Sequence, residues 1–370
     1  INYKHMKTAL LLGSLNRGGT ETLMLDLCQN LKKIDFDAVG IYRKGGVLEQ
    51  EFLNSDVPFI LLKPGKNMLK YLWKLRKLIL NNKVEVIHAQ QPIDALYARI
   101  ACIGLNVKFV LTFHGFDYNG GTALLRFIIP RTDKNIFVSN YQQEYYSQKY
   151  NLRPDKQTVV YNGIKFSKFD LTQNQTNHTD LRRELKINDT TILMGMVGNF
   201  NEVRDQMTLC RFLKLLKEQK VDFHFVFVGK RVESTPQRYD DCLSFCLVND
   251  LSRNVTFAGV RNDVPAVLSQ LDAFIYSTEH DTFGIAVVEA MAAGVPVFVN
   301  DWEVMSEITE EGKLATIYKT KDEKDLLEKF MLFLQTKETY KQKANEVSTI
   351  VRQKYSIEKY IENLKIVYNQ

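Results

Sequence analysis

The chain has 370 residues, 45% of them apolar and 25% charged, an ordinary balance for a globular protein and more chain than one hydrophobic core usually takes. Two domains are therefore expected, and no apolar run reaches the roughly 18–20 residues of a bilayer-spanning helix, which excludes a chain built on such helices. The net charge of +6 hides an asymmetry: residues 1–165 carry 23 Lys and Arg against 13 Asp and Glu, the remainder 26 against 30. A basic first half suits anionic partners such as a phosphorylated or lipid-linked acceptor or a membrane surface, although scattered surface lysine gives the same count. The five cysteines, Cys28, Cys102, Cys210, Cys242 and Cys246, are odd in number and sit mostly in helical patterns. They read as buried free thiols of a reducing cytoplasm. The residues before Met6 lack a long apolar region and read as an added tail, not a signal peptide.

In chain order, Thr8-Ala-Leu-Leu-Leu12 is a buried-strand run. It ends in Gly13-Ser-Leu-Asn-Arg-Gly-Gly-Thr-Glu21, and a helix follows through Leu31. This loop is not G-x-G-x-x-G, which disfavours a nicotinamide oxidoreductase. Gly18 and Gly19 permit close backbone approach by a ligand, or simply a tight turn. Ala38–Tyr42 and Pro58–Leu62 read as strands. Met68–Leu80 reads as a helix whose Lys70, Lys74, Arg76 and Lys77 could rest on anionic lipid; packing on the sheet with solvated lysines is the stronger reading. Val84–His88 and Phe109–Phe113 are strands that end in, or run into, His88 and His114, and ligands gather at such carboxyl ends. Ala123–Ile129 is apolar between Arg126 and Arg131. Asn135–Ser139 and Thr158–Tyr161 complete a first sheet. Residues 170–180 are polar and unpatterned, the expected interdomain connection.

The second half repeats the logic. Ile192–Val197 is a strand, followed by Gly198-Asn-Phe-Asn-Glu-Val-Arg-Asp205 and a helix from about Gln206. Arg204 stands at that helix start, where a cation is disfavoured unless an anion joins it. Strand Phe223–Val228 leads to Gly229-Lys-Arg231, and strand Asn254–Gly259 leads to Val260-Arg-Asn-Asp-Val264, with a helix to Leu271. Strand Ala273–Tyr276 precedes a polar loop, a helix over Gly284–Ala293 capped by Gly294, and strand Val295–Val299. The loop and helix carry two carboxylates, Asp281 and Glu289, eight positions apart. A helix start favours an anion such as phosphate, and an ionised carboxylate can accept two sugar hydroxyls at once. A mixed segment then ends in three helices, from about Lys321, Glu338 and Ile357.

Asp281-x7-Glu289 followed by Ala-Met-Ala-Ala-Gly-Val-Pro-Val297 resembles the paired-acid signature of family 4 retaining glycosyltransferases. The resemblance implies an α/β protein of the GT-B fold, two Rossmann-like doubly wound parallel-sheet domains facing across a cleft. Residues 1–170 would be the acceptor-side domain, 181–355 the nucleotide-sugar domain, and 356–370 a helix returning to the first. Asn162-Gly163-Ile164, then Phe169, matches the family's turn out of the first domain. The commoner motif begins with Glu, so Asp281 is one methylene short. In the family, Arg and Lys at the places of Asn199 and Arg204 bind the nucleotide diphosphate. Here Arg204 is expected to grip phosphate, Asn199 to donate one neutral bond, and Lys230 or Arg231 to supply the missing charge. The loop of Val260 would touch the nucleobase through its backbone, and Gly18 and Gly19 would lie near donor phosphates or acceptor. Gly198, Phe283, Gly284 and Ile285 complete the expected donor contacts, with Glu289 on the ribose. Asp281 and His114, the latter in a His114-Gly115-Phe116-Asp117 loop, would position the sugar, while His88 packs structurally.

The activity so implied is retaining transfer from a UDP- or GDP-sugar to a glycan or lipid-linked acceptor, in envelope or capsule polysaccharide assembly. The leaving phosphate takes the acceptor proton, and no metal or other cofactor is expected. Peripheral contact with an anionic membrane is among the partners allowed; nucleic acid is not. A same-fold epimerase or hydrolase and a catalytically degenerate sugar-nucleotide-binding subunit are the alternatives.

Overall fold

A computed structural model describes residues 6–31, 36–116, 121–174 and 180–370. It divides into two compact units, Ile1–Lys165 with Tyr355–Gln370, and Phe166–Lys354. In the first, strand and helix alternate: β1 (Thr8–Ser14), α1 (Gly19–Cys28), β2 (Ala38–Lys44), α2 (Glu49–Leu53), β3 (Phe59–Leu61), α3 (Met68–Asn81), β4 (Val86–Ala89), α4 (Pro92–Ala101), β5 (Lys108–Phe113), α5 (Gly121–Ile128), β6 (Lys134–Phe137), α6 (Asn140–Tyr150) and β7 (Gln157–Val159). Among the described residues these strands form one parallel sheet in the order β3-β2-β1-β4-β5-β6-β7. The second unit holds α7 (Ser167–Asn174), α8 (Leu181–Leu185), β8 (Ile192–Val197), α9 (Gln206–Glu218), β9 (Phe223–Val228), α10 (Gln237–Val248), β10 (Val255–Gly259), α11 (Val264–Leu268), β11 (Ala273–Tyr276), α12 (Ile285–Ala292), β12 (Val297–Asn300), α13 (Glu303–Ile308), β13 (Thr316–Tyr318), α14 (Glu323–Gln335) and α15 (Lys337–Lys354). Its sheet runs β10-β9-β8-β11-β12-β13, again parallel.

Both orders reverse direction once, the mark of doubly wound sheets. Parallel strands covered by helices on both faces need apolar side chains on both, which is why β8 and β9 read as continuous runs. In the first unit the sheet separates two cores. One is built from α1 and its neighbours, the other from Tyr71, Leu75 and Ile79 of α3 with Ala95, Ala98 and Leu125. The last helix, α16 (Ile357–Asn369), joins the first of these through Tyr360, Ile361, Leu364 and Tyr368. Lys108 Nζ donates to the carbonyls of Val367 and Tyr368 at 2.9 and 3.0 Å, a cation at the negative end of that helix.

Two expectations need correction. Residues 167–174 are helix, not an unpatterned connection, and the division falls earlier, between Lys165 and Phe166. Buried Phe166 and Phe169, together with the Arg352–Asp170 ion pair at 2.6 Å, bind this stretch to the second unit. Residues 175–179 of the expected connection lie outside the described residues. The mixed segment after Pro296 contains α13 and β13, elements too short to declare a period.

His88 on β4 is fully buried, with the Tyr368 hydroxyl 2.6 Å from Nδ1 and the Thr112 hydroxyl 2.6 Å from Nε2. Burial, helped by the charge His114 would carry, pushes its pKa down to about 3. The folded state therefore holds a neutral ring that the unfolded chain protonates below its ordinary value of 6.5. Its stabilisation is complete above that value and is lost progressively as the pH falls towards 3, by up to about 1.4 kcal/mol per pH unit. Urea unfolding at pH 8 and pH 5 is expected to show this slope. In His88→Asn the stability at pH 8 is lower and the slope flatter by that amount.

Candidate active site

At the carboxyl edge of the second sheet, β8 and β11 are neighbours whose onward connections leave in opposite directions. Loops at such a switch point diverge and leave a crevice, the place where open α/β sheets bind ligands. Residues 198–205 leave β8 and residues 277–284 leave β11. The neighbouring edge is built from glycine. Gly198 N–H donates to Val228 and Gly229 N–H to Gly259, both at 2.8 Å, and a Cβ on Gly229 would stand 2.1 Å from the Gly198 carbonyl. Only a residue without a side chain lets these strand ends approach so closely.

Arg204 joins the two loops. Its Nη2 meets Asp281 Oδ2 at 3.0 Å, and its Nη1 donates to Thr278 Oγ1 at 3.0 Å and to the His280 carbonyl at 2.9 Å. Its guanidinium stands 5.2 Å from the centre of the Tyr276 ring. Burial alone would lower the Arg204 pKa; the Asp281 carboxylate and the Tyr276 hydroxyl together outweigh it, and the net shift is upward. Asp281 Oδ2 also accepts from the Tyr276 hydroxyl at 2.8 Å, while Oδ1 accepts from the Thr282 and Phe283 N–H groups at 2.8 and 3.3 Å. A carboxylate has about four acceptor positions, and here the chain itself fills them. In this structure Asp281 ties the loop together, and Arg204 is held against it.

The other expected cations separate. Arg231 is spent on Asp240 through two bonds of 2.8 and 2.6 Å. Lys230 is exposed and forms no ion pair among the described residues. Its backbone N–H donates to Asn199 Oδ1 at 3.1 Å, so Asn199 accepts rather than offering its oxygen outward, and only its amide NH2 faces away. Gln206 supports this loop by donating to the Asn199 carbonyl at 3.2 Å. Val260, beyond β10, is 64% exposed.

Gly284 begins α12 with φ of 83°, and a Cβ there would lie 2.7 Å from Met305 Cε. This left-handed start turns the chain so that the N–H groups of Ile285 and Ala286, which have no intrahelical partner, point out of the helix end. Glu289, the fifth residue of α12, is half-buried. Phe283 is 1% exposed, so the residue anchors the loop from within. Tyr276, Thr278 and Asn300 are parts of this site that sequence reasoning missed. Asn300 Oδ1 accepts from Thr278 N–H at 2.9 Å, and its NH2 donates to the Thr278 carbonyl and Thr320 Oγ1, both at 2.8 Å. Only Asn300 carried a signal, a polar residue directly after the apolar run Val295–Val299; Tyr276 closes its own run and Thr278 stands two places beyond it.

In the first unit, Gly18 caps the start of α1 after β1, with Gly19 as the helix's first residue. His114 follows β5 at the same edge of that sheet, and its Nε2 donates to Gln90 Oε1 at 2.8 Å. Burial lowers the His114 pKa to about 4, so the ring is neutral near pH 7. Asp117 of the expected histidine loop lies outside the described residues. Among the described residues, no group of three His, Cys, Asp or Glu side chains is arranged to hold a metal ion.

Breaking the central pair from one side leaves an unmatched charge beneath the loops. Asp281→Asn is expected to destabilise the second unit by about 2–4 kcal/mol. Adding Arg204→Met should then cost less than the sum of the two single changes, as a double-mutant cycle by urea unfolding would show.

Comparison with known proteins agrees with this construction. The model for Glycosyltransferase Family 4 matches residues 17–168, and that for Glycosyl transferases group 1 matches residues 177–348. An N-acetyl-alpha-D-glucosaminyl L-malate synthase of Bacillus anthracis is 24% identical over 314 residues, 80% of this chain and 77% of that protein. A UDP-Gal:alpha-D-GlcNAc-diphosphoundecaprenol alpha-1,3-galactosyltransferase of Escherichia coli is 23% identical over 301 residues, 76% of each. The crystal structure of HepE from Anabaena in complex with UDP and glucose has the same fold, with a TM-score of 0.81, 18% identity and coverage of 98% of this chain and 99% of that one. Two Rossmann-like parallel-sheet units, matched in turn by two glycosyltransferase models, place the chain among the family 4 glycosyltransferases of the GT-B fold.

Proposed function

We propose that this glycosyltransferase is a retaining, metal-independent enzyme that moves a hexosyl or N-acetylhexosaminyl group from a nucleotide-diphosphate sugar to a hydroxyl of a glycan or lipid-linked acceptor, in envelope or capsule polysaccharide assembly. The observation that carries the reading is the outward start of α12 at the switch-point edge, with an unpaired Lys230 on the same edge. The reaction breaks the bond from the sugar's C1 to the diphosphate oxygen, forms one to the acceptor oxygen on the same face, and passes the acceptor proton to the departing phosphate. Such a step needs its developing negative charge met by groups already in place. The first N–H groups of α12 and the Lys230 ammonium are suited to that, and Glu289 to the ribose hydroxyls. In the first unit, neutral His114 can hydrogen-bond a sugar hydroxyl without drawing off the phosphate charge. The galactosyltransferase relative is named for a UDP-sugar and a diphosphoundecaprenol acceptor, and HepE holds UDP, which favours UDP over GDP as the nucleotide.

The occupied Asp281 carboxylate gives some support to a second reading, a sugar-nucleotide-binding subunit without turnover. Thermal-shift screening of nucleotide sugars, followed by transfer assays over an acceptor panel, separates the two: donor binding with no transfer to any acceptor would favour the subunit.

For the enzyme, Lys230→Ala and Glu289→Ala are each expected to weaken donor binding by about 10- to 100-fold. Arg231→Ala should change it less than about threefold, because that guanidinium already serves Asp240. Transfer in excess EDTA should proceed at the untreated rate, and NMR of the first product should show the donor's anomeric configuration. Magnesium-dependent recovery after EDTA, or an inverted product, would contradict the mechanism.

A further inference from the structure

His114 stands at the carboxyl edge of the first sheet, and its surroundings leave the ring little freedom. The chain after it is pinned from α6. Gln142 Nε2 donates to the Gly115 carbonyl at 3.0 Å, and the Tyr146 hydroxyl lies 3.1 and 3.0 Å from the Gly115 and Phe116 carbonyls. Both of these α6 side chains are fully buried. With the main chain held, what remains is rotation of the imidazole about its own bonds. Gln90 stops that rotation. It follows β4, its backbone N–H donates to the Leu11 carbonyl of β1 at 3.1 Å, and the residue is 2% exposed. From that buried position its Oε1 accepts from His114 Nε2 at 2.8 Å. Gln91, one place on, has a different partner: its Oε1 accepts from Arg43 Nη2 at 3.1 Å.

The bond has a chemical consequence. A carbonyl oxygen has no proton to give, so Nε2 carries the ring proton and Nδ1 of the neutral ring is left as an acceptor. A ligand group that meets Nδ1 must then be a donor, as a sugar hydroxyl or an N-acetyl N–H is. Stability does not account for the amide. Its own Nε2 is buried and makes no hydrogen bond. A donor left in that condition costs at least as much as one neutral bond returns, so an apolar side chain of like size would serve the core better. We propose that Gln90 is a positioning residue of this transferase, holding His114 in the Nε2–H tautomer and at one angle so that Nδ1 accepts from the sugar. This rests on the reading of His114 as a sugar contact. Among the described residues, the titratable group that interacts with the ring is His88 of β4, itself held neutral.

The test has two arms. The first reads the ring without substrate, by nitrogen NMR of the full chain carrying isotope-labelled histidine, with the His114 signals identified by their loss in His114→Ala. Wild type should show the proton on Nε2 and a bare Nδ1. Gln90→Leu, nearly equal in shape and unable to accept, should lose that single tautomer. In Gln90→Glu the carboxylate still accepts from Nε2–H but favours the imidazolium, so His114 should titrate about one to three pH units higher than in wild type. The second arm measures transfer from a nucleotide sugar. Gln90→Leu should lower kcat about 10- to 100-fold, with the donor KM changed less than about threefold. Added to His114→Ala, the same change should cost less than about twofold, because Gln90 acts through that ring. Gln90→Glu should restore kcat to within about threefold of wild type near about pH 9. Its rate should then fall as the pH drops through the raised pKa, where Nδ1–H replaces the acceptor, while wild type stays level. Circular dichroism and urea unfolding confirm that the variants are folded. A wild-type ring proton on Nδ1, a Gln90→Leu protein that keeps tautomer and kcat, equal losses with and without His114, or a Gln90→Glu profile superimposable on wild type would overturn the proposal. A wild type that glycosylates no acceptor would remove the transferase reading and the proposal with it, whereas failure in the first arm alone removes only the proposal.

Discussion

The contact between Arg204 and Asp281 governs the second unit's edge. These residues come from loops that leave adjacent strands in opposite directions, and nothing in the sheet itself obliges those loops to meet. A cation at a helix start is disfavoured, and a carboxylate in a largely covered loop carries a desolvation cost. Each offsets the other's difficulty, and the bonds to Tyr276, Thr278 and the His280 carbonyl fix the geometry. The pair thus sets the loop that carries Gly284, and Gly284 sets the direction of α12. The approach to that helix end is shaped one residue at a time from this charge contact.

That arrangement redistributes the positive charge available to an anion. Of the arginine and lysine side chains on the loops after β8, β9 and β10, Arg204 is held by Asp281, Arg231 by Asp240 and Arg261 by Asp263 and Glu184, while Lys230 forms no ion pair among the described residues. An arginine fork locked to a carboxylate resists reorientation, whereas a lysine on a flexible stem adapts at little cost.

The first unit shows a different economy. Its interior is closed by α16, whose Tyr368 reaches His88 across the core and whose last carbonyls take Lys108. Two histidines at neighbouring strand ends, His88 and His114, therefore stand in different surroundings. The first is held neutral inside the protein, and the second lies at the edge, oriented by Gln90.

The strand runs at Thr8–Leu12, Ile192–Val197 and Phe223–Val228 were legible because strands covered on both faces must be continuously apolar, and the α12 region because its glycines and proline punctuate it. Helix α7 and the pair α13 and β13 were not legible, since elements this short owe their shape to what they pack against. The sequence by itself determined the two-unit α/β architecture, the switch-point loops and the identity of Glu289 and Gly284 as features of one helix. The tertiary structure alone decided which charges are free. Arg204 and Asp281, 77 positions apart, and Arg231 and Asp240, nine apart, meet only when the loops are placed, and electrostatic pairing depends on distance in space, not on position in the sequence.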